Sequence, residues 1–260
     1  MESSSRQPVQ IPRPARLKLI ACEVSFRELC LCAARSPNTI DLDFVRRGLH
    51  DNPEEMRRQL QAKIDETDET KDQAIALAYG LCSNGIAGLR ARRLPLILPR
   101  AHDCITFFLG SKETYLRHFL EHPGTYYYTV GWLERGGDSV PRTREAGEGL
   151  NLGWQKLVEK YGEENARYLM EVAGAWVKNY THAVFIDMGL GPDHLGRERV
   201  KQAAQGHGWE YAELTGSLDL LRRLTDGPWE AEDFLIVPPG HQILPSNDSA
   251  ILTSAPQPPA

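Results

Sequence analysis

From residue 16 to about 240, short apolar runs alternate with longer amphipathic segments, the pattern that gives parallel strands covered by helices. Leu17–Cys22 is the first such run. Ser25 follows with Glu28 three residues on, the spacing of a capping box, so strand, tight turn and helix are predicted in that order. Within that helix Phe26, Leu29, Cys30 and Ala33 share one stripe, which predicts Cys30 in the core and Cys32 off it. Asn52 before Pro53, with Glu55 at the capping-box position, predicts a second helix running to about Glu66. Ala74–Tyr79 and Leu94–Leu98 are the next strand-like runs. From Ser111 the spacing of Tyr115 with Phe119 and Leu116 with Leu120 predicts a helix that Pro123 and Gly124 end. The alternation then resumes: a helix over 163–180, a strand at Ala183–Met188, a helix near 196–206, a strand at Trp209–Leu214, a helix from Ser217 and a strand at Phe234–Val237.

Residues 136–149 are rich in Gly, Arg, Glu and Pro and carry no periodic apolar positions, so they are expected as a loop. The fold class expected is α/β, with Rossmann-like parallel sheets flanked by helices. One domain over 16–245 would contain two related lobes, 16–135 and 150–245, joined by that loop. The Ser-, Pro- and Gln-rich ends, 1–15 and 246–260, hold few large apolar groups to offset ordering entropy and are expected as flexible tails.

Composition changes the picture little, but charge and cysteine usage narrow it. The chain has 260 residues, 41% of them hydrophobic and 25% charged, which is globular composition. A net charge of -5 offers no general basic surface for a phosphate backbone, so nucleic acid is not an expected partner. No apolar run approaches the ~20 residues of a membrane helix, and Ser, Arg, Gln and Pro at the start do not make the apolar core of a leader. A cytoplasmic protein without a membrane partner is expected. Five cysteines without the regular spacing of a secreted scaffold are then expected as reduced thiols.

Three of those cysteines share a setting, since Cys22, Cys82 and Cys104 each follow a strand-like run at its carboxyl end. Ligands of open α/β sheets bind outside those ends, so three distant segments can deliver three thiols to one crevice. Soft sulfur ligands select zinc or iron–sulfur clusters, and three protein ligands leave a position open for a small-molecule substrate. The competing reading is three buried thiols that pack as small hydrophobes. Polar neighbours favour a site: Glu23 beside Cys22, Ser83 and Asn84 beside Cys82, and Arg100, His102 and Asp103 before Cys104. An extended backbone through Pro99–Cys104 would set Arg100, His102 and Cys104 on one side. His102, with Asp103 beside it, is therefore the candidate acid/base group, and Glu23, Asn84 and Arg100 are candidates to orient substrate. The alternative is an ordinary histidine, with Asp103 capping the following helix. Nucleotide-binding patterns are absent around Gly80, Gly85 and Gly88.

Leu19–Glu23, Tyr79–Gly85 and Pro99–Cys104, with the trailing Phe234–Gly240, together resemble the family labelled domain of unknown function 1638 over about residues 17–240. The resemblance implies one family domain and supplies no reaction. Similar proteins occur in bacteria and archaea near corrinoid-dependent methyl-transfer genes, which implies a setting in methyl-group metabolism with a corrinoid protein as a partner. The expected function is a metal-dependent enzyme, a lyase or transferase, with Cys22, Cys82 and Cys104 holding zinc or an iron–sulfur cluster. A zinc-thiolate methyltransferase and a non-enzymatic protein that binds metal or corrinoid are the alternatives.

Overall fold

A computed structural model describes residues 11–135, 163, 179–191 and 193–257, without the side chains of 193–195. In chain order, the first elements are β1 (Arg16–Cys22), α1 (Phe26–Arg35), β2 (Thr39–Val45), α2 (Pro53–Glu66), β3 (Ala74–Ala78), β4 (Leu96–Pro99) and α3 (Ile105–Leu109). Then come α4 (Lys112–Glu121), β5 (Thr125–Tyr128), α5 (Val130–Arg135), β6 (His182–Asp187), α6 (Asp193–His207) and β7 (Glu210–Thr215). The last are α7 (Asp219–Asp226), β8 (Phe234–Val237), β9 (His241–Pro245) and β10 (Leu252–Pro256). Two compact units result, one made of residues up to 112 and from 218 on, the other of residues 113–217.

The first unit is built on a five-stranded sheet in the order β2-β1-β3-β4-β8. β1 to β4 pair in parallel, and β8 closes the edge antiparallel to β4. β3, Ala-Ile-Ala-Leu-Ala, is buried at every position because layers cover both faces. On one face lie Met56, Leu60 and Ile64 of α2 with Ile243 and Leu252 of the last two strands. On the other lie Leu29 and Cys32 of α1, Phe107 of α3 and Leu220, Leu221 and Leu224 of α7. The chain leaves β1 for β2 on one side, then crosses to β3 on the other. The order of winding therefore reverses between β1 and β3, and in sheets of this winding ligands bind outside the carboxyl ends at such a reversal.

The second unit holds a three-stranded parallel sheet, β5-β6-β7, around Tyr128, Phe185, Val200 and Trp209. Its α4 exposes Leu116, Phe119 and Leu120, and meets the sheet instead through Tyr115 and His118, both against Tyr127.

α/β layering with parallel strands is thus as expected, and Asn52 caps α2 by accepting from the Glu55 N–H at 3.1 Å. Several details differ. Ser25 does not cap α1 with its side chain but donates to the Cys22 carbonyl at 2.9 Å. A short turn over Glu23–Ser25 resets the helix, whose buried face is Glu28, Leu29 and Cys32. Cys32 is therefore the core thiol and Cys30 is only partly buried. The C-terminal segment is no tail, since β10 pairs with β9 and Leu252 is fully buried. Nor is residue 15 free, because Ala15 is buried and its N–H donates to Asn38 Oδ1 at 2.8 Å. The division into lobes 16–135 and 150–245 also differs from the two units: β8 belongs to the first sheet, so the second unit is an insertion within the first. β2 and β5 were not anticipated. Residues 1–10, the expected loop 136–149 and most of the expected helix 163–180 lie outside the described residues. No helix among the described residues is long and apolar enough to cross a membrane.

Candidate functional site

The carboxyl ends of β1, β3 and β4 place the three thiols. Cys22 is the last residue of β1, and pairing of Ala21 with Ala78 makes Cys22 and Tyr79 the next residues on adjacent strands. Side chains alternate across a sheet, so Ile20, Leu77 and Tyr79 enter the layer under α2, where Cys22 and Cys82 pack against them. Cys104 comes to the same end from the other layer, beside Ala101 and Phe107.

Cys82 is positioned by a close meeting of two loops. The N–H groups of Leu81 and Cys82 donate to the carbonyls of Ala101 and His102, both at 2.8 Å. A Cβ at Gly80 would lie 2.7 Å from the Asp103 nitrogen and 2.8 Å from its Cα, so only glycine allows the approach. Beyond it Cys82, Ser83 and Asn84 hold φ of 44°, 55° and 64°. Three consecutive left-handed residues other than glycine cost about 1 kcal/mol each or more, and such strain gathers where a backbone must present something. Gly85 N–H to Cys82 O at 2.9 Å closes the turn, and Arg57 braces it by donating to the carbonyls of Asn84 and Ala87.

Burial pushes the Cys22 thiol up to about 11 and the Cys82 thiol up to about 12, the latter with added repulsion from Asp103 and Cys22. Cys104 is likewise raised by burial, then by Asp103, Cys82 and Cys22. Each thiol is therefore neutral near pH 7, and none is a ready nucleophile by itself. Tyr79 completes the group: burial and then the three cysteines, with Asp43, raise its phenol. Sequence reasoning passed over this residue. Its signal was a lone hydroxyl at the end of an otherwise aliphatic run.

The other candidates are dispersed. Glu23 Oε1 accepts from the Arg47 N–H at 3.0 Å, which ties it to the segment after β2. Asn84 is exposed on the left-handed turn, and His102 is exposed at the rim. Asp103 Oδ1 accepts from the Ile105 N–H at 3.0 Å, a local turn just ahead of α3, whose N-cap is Cys104. The backbone is not extended through Cys104, which is helical at φ -69° and ψ -17° as it opens α3. Arg100 turns away from the thiols: its guanidinium donates to Ala231 O at 2.8 Å, Ala250 O at 2.9 Å and Leu252 O. It is thereby tied to backbone before β8 and at the start of β10.

A soft metal suits three sulfur donors chemically. Among the described residues, however, no group of three or more His, Cys, Asp or Glu side chains is placed to hold a metal ion. The thiols share an end of the sheet but reach it from opposite layers, so a metal would have to draw them inward.

No curated protein and no solved structure matches the chain. A family model matches residues 44–225, a stretch that contains Tyr79–Gly85 and Pro99–Cys104 and leaves Cys22 and β8 outside. With more than half of its length matched, the chain belongs to the family described as protein of unknown function (DUF1638).

Proposed function

We propose that the protein is a metal-dependent enzyme acting on a small molecule at the carboxyl ends of β1 and β3, with Cys22, Cys82 and Cys104 as ligands of zinc or an iron–sulfur cluster. The supporting observation is placement: three thiols from separate segments come to the same end of the sheet, the end where sheets of this winding bind ligands. When bound, the metal would supply a Lewis acid with one position open to substrate. The chain's own parts divide the remaining work. The Gly80 contact and the 82–84 turn hold Cys82 against the loop that carries Cys104. On ligation each thiol would give up its proton to solvent. His102 and Asn84 stand exposed at the rim, where they can exchange a proton with substrate and hydrogen-bond it. Glu23, held by Arg47, lines the Cys22 side.

The test is purification without oxygen, followed by metal analysis and an absorption spectrum. Stoichiometric zinc, or iron with thiolate-to-iron bands, is the expected result. Protein that carries neither, and takes up neither Zn²⁺ nor iron with sulfide, would overturn the proposal.

A further inference from the structure

Apolar surface that the fold leaves uncovered gathers on one helix of the second unit. No residue of α4 is buried, and Leu116, Phe119 and Leu120 are 57%, 50% and 68% exposed. Spaced i, i+3 and i+4, they form one face, while Tyr115 and His118 hold the helix to Tyr127 from another. Phe26, at 37%, is the only other large apolar side chain so exposed among the described residues. Single apolar residues are ordinary on a surface, whereas a cluster on one face marks a contact. Arg117 and Glu121 lie one turn apart on the flank of that face, both exposed, and neither side chain joins an ion pair among the described residues.

We propose that this face binds a second copy of the chain, with α4 antiparallel to its twin about a twofold axis near Phe119. Charge complementarity selects that occupant. A twofold contact is self-complementary, so each residue of one helix faces the residue as far beyond the axis on the other. An axis at Phe119 joins the two apolar faces and sets Arg117 of each copy opposite Glu121 of the other, so two ion pairs form together. A ten-residue helix is about 15 Å long, too short to bury by itself the roughly 800 Å² per partner of a standard interface. β5 extends the surface, because it follows the helix as an outer strand of its sheet and its Thr-Tyr-Tyr-Tyr run carries no charge. The opposite outer strand, β7, carries Glu210 and Glu213, and such charges keep an edge from pairing. None of this depends on how the thiols are read.

Sedimentation equilibrium on the full chain tests the proposal. Wild type is expected at twice the chain mass at micromolar concentration. Leu120→Glu is expected at the single mass with unchanged circular dichroism, because that side chain is exposed within one copy. Arg117→Glu sets like charges opposite each other twice and should weaken dimerisation about tenfold or more. Adding Glu121→Arg to it forms both pairs in reverse and should recover the wild-type dissociation constant. A wild type that is monomeric at every concentration reached would overturn the proposal, and so would a Leu120→Glu dimer, which would put the contact elsewhere. If Leu120→Glu loses helical signal, the charge series decides: equal dissociation constants in the single and double variants would overturn the twofold arrangement.

Discussion

At the scale of single residues, Gly80 is where the site is most exposed to damage. A methyl group there meets backbone at 2.7 Å, and backbone cannot swing aside. Gly80→Ala is expected to cost about 1–3 kcal/mol in chemical denaturation, and to separate Cys82 from the 101–103 loop so that metal retention falls too. Unchanged denaturation would mean that the loops part freely. The cysteines divide cleanly by position. Cys22→Ala, Cys82→Ala and Cys104→Ala should each abolish metal retention, whereas Cys32→Ala should lower stability by about 1 kcal/mol with metal unaffected. Equal metal content in all four variants would reduce these thiols to packing. Which cysteine is core could not be read from the α1 pattern, because the helix buries a glutamate, Glu28, and leaves Phe26 at its margin against Phe44. Periodicity finds the stripe only when buried positions are apolar. The three strand-end thiols were legible because a strand, unlike a helix, announces where it ends. Tyr79 was not, since a tyrosine closing an apolar run gives no sign that its hydroxyl lacks a partner.

At the scale of elements, a guanidinium fastens the C-terminal hairpin. Arg100 donates to carbonyls of residues 231, 250 and 252, and its own N–H donates to Asp233 O at 2.8 Å. Arg100→Gln leaves these carbonyls short of donors and should cost about 2 kcal/mol, with metal content unchanged. Arg100→Lys should not rescue it, because one ammonium cannot span the carbonyls that a planar fork reaches. Loss of substrate affinity without loss of stability would restore Arg100 to the site. The hairpin was hidden from the sequence for the same reason: Ile251 and Leu252 are two apolar residues among Ser, Thr and Pro, and what orders them lies some 150 residues away. β2 was hidden differently. It alternates Ile40, Leu42 and Phe44 with Asp41 and Asp43, a legible pattern that the longer apolar runs outshone.

At the scale of the whole molecule, the two units have separate cores and should answer acid separately. In the second, the His118 and His122 rings lie 4.9 Å apart, those of His122 and His182 5.6 Å, and His118 Nδ1 meets Tyr127 Oη at 2.6 Å. Burial first, then His122, lowers the His118 pKa, against an opposing pull from Glu121 and with a smaller lowering by His182. A folded-state pKa below the unfolded one means that the folded state binds fewer protons. The contribution is therefore fully present above about pH 6.5 and is lost as pH falls through the lower folded value. Hydrogen exchange followed from pH 7 to 5 should show β5 and β6 losing protection before β1 and β3, and His118→Asn should flatten that loss. An identical acid response in the variant would acquit the imidazoles.

That the second unit interrupts the first has a consequence during synthesis. β4 waits for β8 as its outer neighbour, and the chain between Pro99 and Phe234 must be made before the pair can form. On the ribosome the apolar edge Leu96–Pro99 is therefore open for most of translation, a sticky flank that invites chaperones or aggregation. A chain truncated at residue 112 should come out insoluble for this reason, and co-expression of residues 218–260 should recover part of it.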